Sequence, residues 1–437
     1  MKEDGWVPDD QTSSRMGAPS HSPLAPSTDR RGYSLVDQYR AVRARTERLA
    51  RPLSPEDQAV QSMPDASPTK WHRAHTTWFF ETFVLVPHLR GYRPFDAAFA
   101  FIFNSYYDAV GPRHPRARRG LLTRPTAAAV GAYRAHVDAA MERLLEAETE
   151  ELRNLVVLGL NHEQQHQELL LTDIKHAFAQ SPLLPAYAPT ARQTDPAAPL
   201  ATAGWWRLPD GVHNIGHDGL AFAFDNEAPA HGVLLYGGSI ADRPVSNGEF
   251  RQFIEDRGYH RPELWLSDGW SCKADAGWEA PGYWRRDGCA WQVFTLHGLQ
   301  PVRDDEPVCH VSFYEAAAYA EWAGARLPSE GEWEVAARRN DIAAVVEIDP
   351  AFHPVRLRQG VWQEVWEWTS SPYTAYPGYR PEAGALGEYN GKFMVNQMVL
   401  RGRSFATPPG YERLTYRNFF PPAARWQFSG LRLARNG

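Results

Sequence analysis

Two histidines one helical turn apart, in Asn161-His-Glu-Gln-Gln-His-Gln-Glu168, are the residues of this chain best spaced to do chemistry. Positions i and i+4 of a helix share a face, so His162 and His166 can offer two imidazoles to one metal ion. Glu168, two residues past His166, projects to the far side and makes a poor ligand. A third donor must then come from another segment. The plainer use of such a pair is a buried helix whose histidines are hydrogen-bonded in the core. The spacing also matches the H-E-x-x-H of zinc proteases, with Glu163 as base. No metzincin ligand follows, however, because the chain continues Gln167-Glu-Leu-Leu-Leu171. A metal site is expected here and peptide hydrolysis is not.

The third imidazole has two candidates, His72 and His75, in Trp71-His-Arg-Ala-His75-Thr-Thr-Trp-Phe-Phe-Glu81. Either one can instead pack against Trp71, Trp78, Phe79 and Phe80, and spacing alone does not choose between them. Asp173 returns to the His166 face two turns on, roughly 10 Å along the axis, too far for the same ion. It is expected to support a ligand or to be a solvated charge. Three neutral imidazoles leave a metal's charge uncompensated and its other positions open, which suits a redox metal that binds substrates as well as it suits zinc. The tyrosines of Phe103-Asn-Ser-Tyr-Tyr107 are either packing or phenols able to pass a proton or an electron beside such a metal. Gly111-Pro-Arg-His-Pro-Arg-Ala-Arg-Arg-Gly120 concentrates Arg113, Arg116, Arg118 and Arg119, as a solvated loop or as a clamp for a substrate carboxylate.

These residues need rigid elements to meet. Apolar positions at helical spacing predict a helix over 33–50, ending before Pro52 and Pro55. A second is expected over 67–86, opened by Ser67-Pro68. Others are expected over 127–148 and 151–180, the last without Pro and with Gly159 as its weak point. Four long helices with one long connection, 87–125, point to a four-helix bundle, whose core commonly houses metal sites. Residues 1–30, rich in Pro, Ser, Asp and Gly, read as a disordered tail. Residues 181–203, carrying Pro182, Pro185, Pro189, Pro196 and Pro199, read as a linker. From 204 to 437 short apolar runs, Gly, Pro and Trp predict an α+β domain with much irregular backbone. Helices are expected there over 312–323 and 329–339, with Ser329 and Glu332 forming a capping box.

The 437 residues allow two domains with sizeable cores. A net charge of −6 leaves no electrostatic footprint for nucleic acid. No apolar run approaches the ~20 residues that span a bilayer, and Met1-Lys-Glu-Asp-Gly5 does not start a signal peptide. Cys272, Cys289 and Cys309 are too few for a disulfide framework and are not spaced for zinc. A cytoplasmic protein with small-molecule partners, and with neither nucleic acid nor membrane, is the expectation.

With these motifs assembled, the chain from about Tyr33 onward resembles the ergothioneine-biosynthesis sulfoxide synthases. The first-half motifs are Ser67–Glu81, Phe103–Tyr107 and His162–Glu168. The second half adds Asp225-Asn-Glu-Ala-Pro229, Arg326-Leu-Pro-Ser-Glu-Gly-Glu-Trp-Glu334, Val399-Leu-Arg-Gly-Arg-Ser404, Tyr416-Arg-Asn-Phe-Phe-Pro-Pro422 and Phe428-Ser-Gly-Leu-Arg432. The resemblance implies a multidomain α and α+β fold. A DinB-like four-helix bundle (31–180) would precede a formylglycine-generating-enzyme-like, C-type-lectin-like α+β domain (204–437). It implies Fe(II) held by His75, His162 and His166, and a C–S bond formed between hercynine and cysteine or a cysteine derivative with O₂ as oxidant. Tyr106 and Tyr107 would jointly supply the proton, and Gln165 would bond the hercynine imidazole. Asn418, Phe419 and Phe420 would close over its trimethylammonium group. Arg116, Arg119 and Arg425 would take the donor's carboxylate. A selenosugar donor, giving a selenoneine synthase, fits the same motifs, and a non-catalytic metal-binding module is a more remote alternative. Two features depart from the pattern. No cysteine follows Cys309, so the second domain is expected to wall a substrate site and not to act as an oxidase of its own, and Arg403 stands where a second Gly is usual.

Overall fold

The structure, a computed structural model, describes residues 34–437 apart from 148, 190–201, 220, 341–351, 358–363, 382–386 and 389. The expected tail, 1–30, and most of the expected linker lie outside the described residues. Four long helices build the first half. Helix α1 (Leu35–Ala50) is capped by Ser34, whose side chain accepts from Asp37 N, and it buries Leu35, Tyr39, Val42 and Leu49 at helical spacing. Helix α2 (Thr69–Phe79) is buried on every side. Its N-cap is Pro68, one residue later than expected, and the Ser67 hydroxyl accepts from Arg119 Nη1 at 2.9 Å instead of capping the helix. Past Phe79 the coil widens into a π-helical stretch, Phe80–Leu85.

Helices α3 (Ala127–Leu145) and α4 (Glu150–Gln180) are capped by Thr126 and Thr149. Gly159 is not a weakness of α4 but a close approach. A Cβ there would stand 2.6 Å from Phe80 Cε1 and 2.8 Å from Phe79 Cε1, so only Gly lets α2 and α4 pack this tightly. The rings of Trp71, Trp78, Phe79 and Phe80 join Val130, Val137, Met141 and Val156 in one core between the helices.

The described residues of the second half carry three small sheets: β1 (Trp205–Ile215), β2 (His231–Ala241) and β10 (Ala434–Arg435); β3 (Trp284–Asp287), β4 (Ala290–Thr295) and β5 (Gly298–Pro301); and β6 (Trp366–Pro372), β7 (Met398–Gly402), β8 (Asn418–Phe420) and β9 (Ser429–Leu431), ordered β8-β7-β6-β9. Helices Phe313–Trp322 and Glu330–Arg339 form where expected, each opened by a capping box, Ser312 with Glu315 and Ser329 with Glu332. Helices Asn247–Glu255 and Ser267–Ala276 went unpredicted. Irregular backbone around these elements is held by buried ion pairs, Arg417–Glu330, Arg401–Glu334 and Arg432–Glu367. The described start of the expected linker is docked and not free. Tyr187 is buried and donates to Leu49 O at 2.7 Å, and Ala188 N donates to Leu296 O. Among the described residues no helix is long and apolar enough to cross a membrane.

Candidate metal centre and substrate cavity

Helix α2 brings His75, and α4 brings His162 and His166, to one point where a nitrogen of each ring lies within 4.8 Å of the others. All three are buried. His75 Nδ1 donates to Phe103 O at 2.6 Å, which leaves the lone pair on Nε2, a buried atom with no hydrogen-bond partner. Trp71 stacks on its ring at 4.5 Å and Trp78 at 5.6 Å, locking its plane. Burial first, and the neighbouring imidazoles second, hold His75 and His166 well below the usual histidine range; burial alone takes His162 down to about 3 despite Glu163. Three rings that stay neutral are what a cation requires of its ligands.

His72, the other candidate, lies outside this group and braces it. Its Nε2 lies 3.0 Å from Asp173 Oδ2 and its Nδ1 lies 2.8 Å from His166 Nδ1. With the carboxylate accepting from Nε2–H, His72 Nδ1 must accept from His166 Nδ1–H, and the His166 lone pair is then on Nε2. Asp173 is thus the buried end of a relay, fixed in turn by Ser67 N at 2.8 Å. Glu163, the would-be protease base, is spent inside the bundle. It accepts from Arg43 Nη1 at 2.8 Å, Arg134 Nη2 at 2.9 Å and Thr46 Oγ1 at 2.6 Å. Burial would raise its carboxyl, but the two guanidiniums hold it down at about 2, far too low for a general base.

A cavity of about 310 Å³ is lined from the first domain by Tyr106, Arg116, Gln165 and Glu168 and from the second by Trp366, Tyr416, Asn418, Phe419 and Phe420; it reaches Gln165, the residue before His166, but not the three histidines themselves. Six of the expected site residues therefore meet here: Tyr106, Gln165, Arg116, Asn418, Phe419 and Phe420. Tyr107 stands apart. Its ring lies 5.1 Å from that of Tyr106, but it faces, with His162 and Phe79, a wider cavity of about 920 Å³. Two arginines do not reach the cavity. Arg119 is buried against Trp71, its guanidinium 3.4 Å from the ring centre and bonded to Ser67 Oγ and Ser105 Oγ. Desolvation, then the Arg116 charge, brings it down to about 9. Arg425 pairs with Glu315 at 3.0 Å, donates to Ala280 O and covers Trp278. Arg403 sits with Glu412, Glu364 and Glu168 as its nearest charges, outside the cavity lining.

The sequence reading missed three contributors. Tyr416 Oη accepts from Gln165 Nε2 at 2.8 Å. Lys392 Nζ donates to Tyr106 O at 2.6 Å and pairs with Asp108 and Glu388, while the Phe393 ring lies 5.5 Å from Tyr106, so a second-domain segment clamps the tyrosine loop. Glu168, pointing away from the metal as its spacing demands, accepts from Trp366 Nε1 at 2.7 Å, Ser404 Oγ at 2.5 Å and Thr407 Oγ1 at 2.8 Å. That far-side position was the one available signal for an interdomain contact.

Comparison with known proteins finds two families along the chain: the DinB superfamily over residues 38–170 and the sulfatase-modifying factor enzyme 1-like domain over 191–364 and 358–437. A hercynine oxygenase of Mycolicibacterium smegmatis is 34% identical over 436 residues, covering 92% of this chain and 98% of that protein. One of Mycobacterium tuberculosis is 33% identical over 424 residues, covering 90% and 96%. Ergothioneine biosynthesis protein 1 of Schizosaccharomyces pombe is 29% identical over 232 residues, covering 49% of this chain and 28% of that protein.

Proposed function

Because the chain belongs to the hercynine oxygenase family, with a DinB-type domain followed by a formylglycine-generating-enzyme-type domain, we propose that it is an Fe(II)- and O₂-dependent sulfoxide synthase acting on hercynine and cysteine. The observation that carries this reading is the convergence of three neutral imidazoles, one of which, His162, lines a cavity walled from the second domain by Phe222, Phe224 and Asp225. The buried Nε2 of His75, with no hydrogen-bond partner, fits a metal ligand.

In the overall reaction the imidazole C–H and the donor S–H are lost, a C–S bond forms, one oxygen atom ends on sulfur and the other leaves as water. Iron held by His75, His162 and His166 would supply the redox chemistry with O₂. Gln165, next to His166, orients the hercynine ring. Phe419 and Phe420 offer aromatic faces to its trimethylammonium group, and Asn418 shapes the wall between them. The Tyr106 phenol holds a proton at the cavity, with Tyr107 behind it toward His162. Arg116 is the guanidinium left to take the donor's carboxylate.

The displacement of Arg119 and Arg425 bears on the donor. Among the described residues one guanidinium, Arg116, lines the cavity, which suits cysteine, with its single carboxylate, better than γ-glutamylcysteine with two, and is compatible with a second reading, a selenosugar with none. The test is anaerobic Fe(II) reconstitution with hercynine, followed by O₂ uptake with cysteine, γ-glutamylcysteine or selenosugar in turn. Uptake with cysteine and a sulfoxide product is expected. Uptake with the selenosugar alone selects the second reading, and none with any donor defeats both.

A further inference from the structure

Tyr416 carries no role in the reading above, yet its side chain bonds Gln165. Its phenol oxygen accepts from the Gln165 amide N–H at 2.8 Å, across the junction between the domains. The Tyr416 ring is itself held on several sides. Trp366 lies 5.5 Å away, Tyr411 5.2 Å and Phe224 6.1 Å, and the Arg413 guanidinium lies 5.4 Å from its centre. Arg413 is anchored in turn to Glu227 at 2.8 Å and to Asn161 Oδ1 at 3.1 Å, one residue before His162. The phenol oxygen is therefore a fixed point relative to the α4 turn that carries both ligands.

A primary amide has a donor end and an acceptor end, and packing alone does not distinguish them. The Tyr416 hydroxyl also hydrogen-bonds the Tyr411 side chain; with its own proton given there it can only accept from Gln165, which turns the amide's carbonyl end away from that phenol. A neutral imidazole that gives one nitrogen's lone pair to a metal keeps its N–H on the other nitrogen and needs an acceptor there. We propose that Tyr416 is a positioning residue that selects the acceptor-presenting orientation of Gln165 and so sets the rotation of the imidazole substrate in the cavity. The proposal rests on the functional reading above, through the imidazole substrate it names.

The test is a double-mutant cycle on hercynine affinity, measured by calorimetry on anaerobic Fe(II)-loaded protein, with iron content determined for each variant. Tyr416→Phe and Gln165→Met are each expected to weaken hercynine about five-fold, the scale of one neutral hydrogen bond, with iron content unchanged. The double variant is expected to stay near five-fold, because Tyr416 acts through Gln165. In turnover, Tyr416→Phe is expected to consume O₂ with a reduced sulfoxide yield while the donor KM holds. Unchanged affinity in Tyr416→Phe, or effects that multiply in the double variant, would overturn the proposal and leave the functional reading intact. Wild-type protein that binds no hercynine would overturn both.

Discussion

His166 Nδ1 gives its proton to His72, whose own Nε2 proton is held by Asp173. Removing His72 therefore frees the wrong nitrogen of a ligand without removing the ligand. His72→Phe is expected to weaken metal binding about 10–100-fold, the usual effect of losing a residue that orients a ligand, whereas His166→Ala should abolish it. Chelator competition on both variants checks this, and full iron occupancy in His166→Ala would refute the ligand set. Tyr106 and Tyr107 separate in the same way. Tyr106 shares the cavity with Gln165, so Tyr106→Phe should slow sulfoxide formation more than Tyr107→Phe, with iron retained in both. Equal, unchanged rates would remove the phenols from the mechanism. Helical spacing made His162 and His166 legible as a pair, but it could not choose between His72 and His75. That choice depends on which α2 ring meets the carbonyl of Phe103 and which meets Asp173, and both contacts are tertiary.

Helix α4 was readable because it holds no Pro, although the polar stretch 161–168 breaks its apolar stripe, and Gly159 looked like a flaw only while its neighbours were unknown. The arginine segment was misread for a similar reason. In the 3₁₀ run Arg116–Leu121 residues three apart share a face, so Arg116 and Arg119 part company through their tertiary contacts, Arg116 bonding Asp65 O and Arg119 covering Trp71, which composition does not encode. Two α4 side chains make element-scale tests. Glu163 ties α4 to α1 through Arg43 and to α3 through Arg134, so Glu163→Gln, which strips the charge from a buried pair, should cost about 3–5 kcal/mol of stability by urea unfolding. A loss under about 1 kcal/mol would show those arginines satisfied elsewhere. Lys175, two and a half turns beyond His166, is buried against His310 Nε2, the Tyr283 and Phe428 rings and Cys309. Burial pushes its ammonium down to about 7. Unfolded lysine keeps its proton to about 10.4, so between these values the unfolded chain binds one more proton and stability rises with pH, by at most about 1.4 kcal/mol per pH unit. Lys175→Met should flatten that rise between about pH 7 and 9 in urea midpoints. A parallel rise in both proteins would assign it to other groups.

At the scale of the whole molecule, α4 faces two ways: its histidines look into the bundle, and Gln165 and Glu168 look into the second domain. The second domain brings Trp366, Tyr416, Asn418, Phe419 and Phe420 to the cavity. If the metal belongs to the bundle and the cavity to the junction, the two must be separable by mutation. Glu168 is the place to separate them. Burial raises its carboxyl, and the hydroxyls of Ser404 and Thr407 and the Trp366 indole N–H hold it in check. Glu168→Leu would strand three donors on the second domain, at about 1–3 kcal/mol for each one left unsatisfied. Because His75, His162 and His166 all come from α2 and α4, iron content in Glu168→Leu should stay near wild type. Hercynine affinity should fall by at least about tenfold, since ~1.4 kcal/mol lost from the cavity wall already gives that factor. Limited proteolysis should then cut between the domains faster than in wild type. Hercynine binding at wild-type strength in a variant with a loosened junction would mean that the cavity belongs to one domain alone, and loss of iron would mean that the second domain holds the bundle's helices in place as well as covering the substrate.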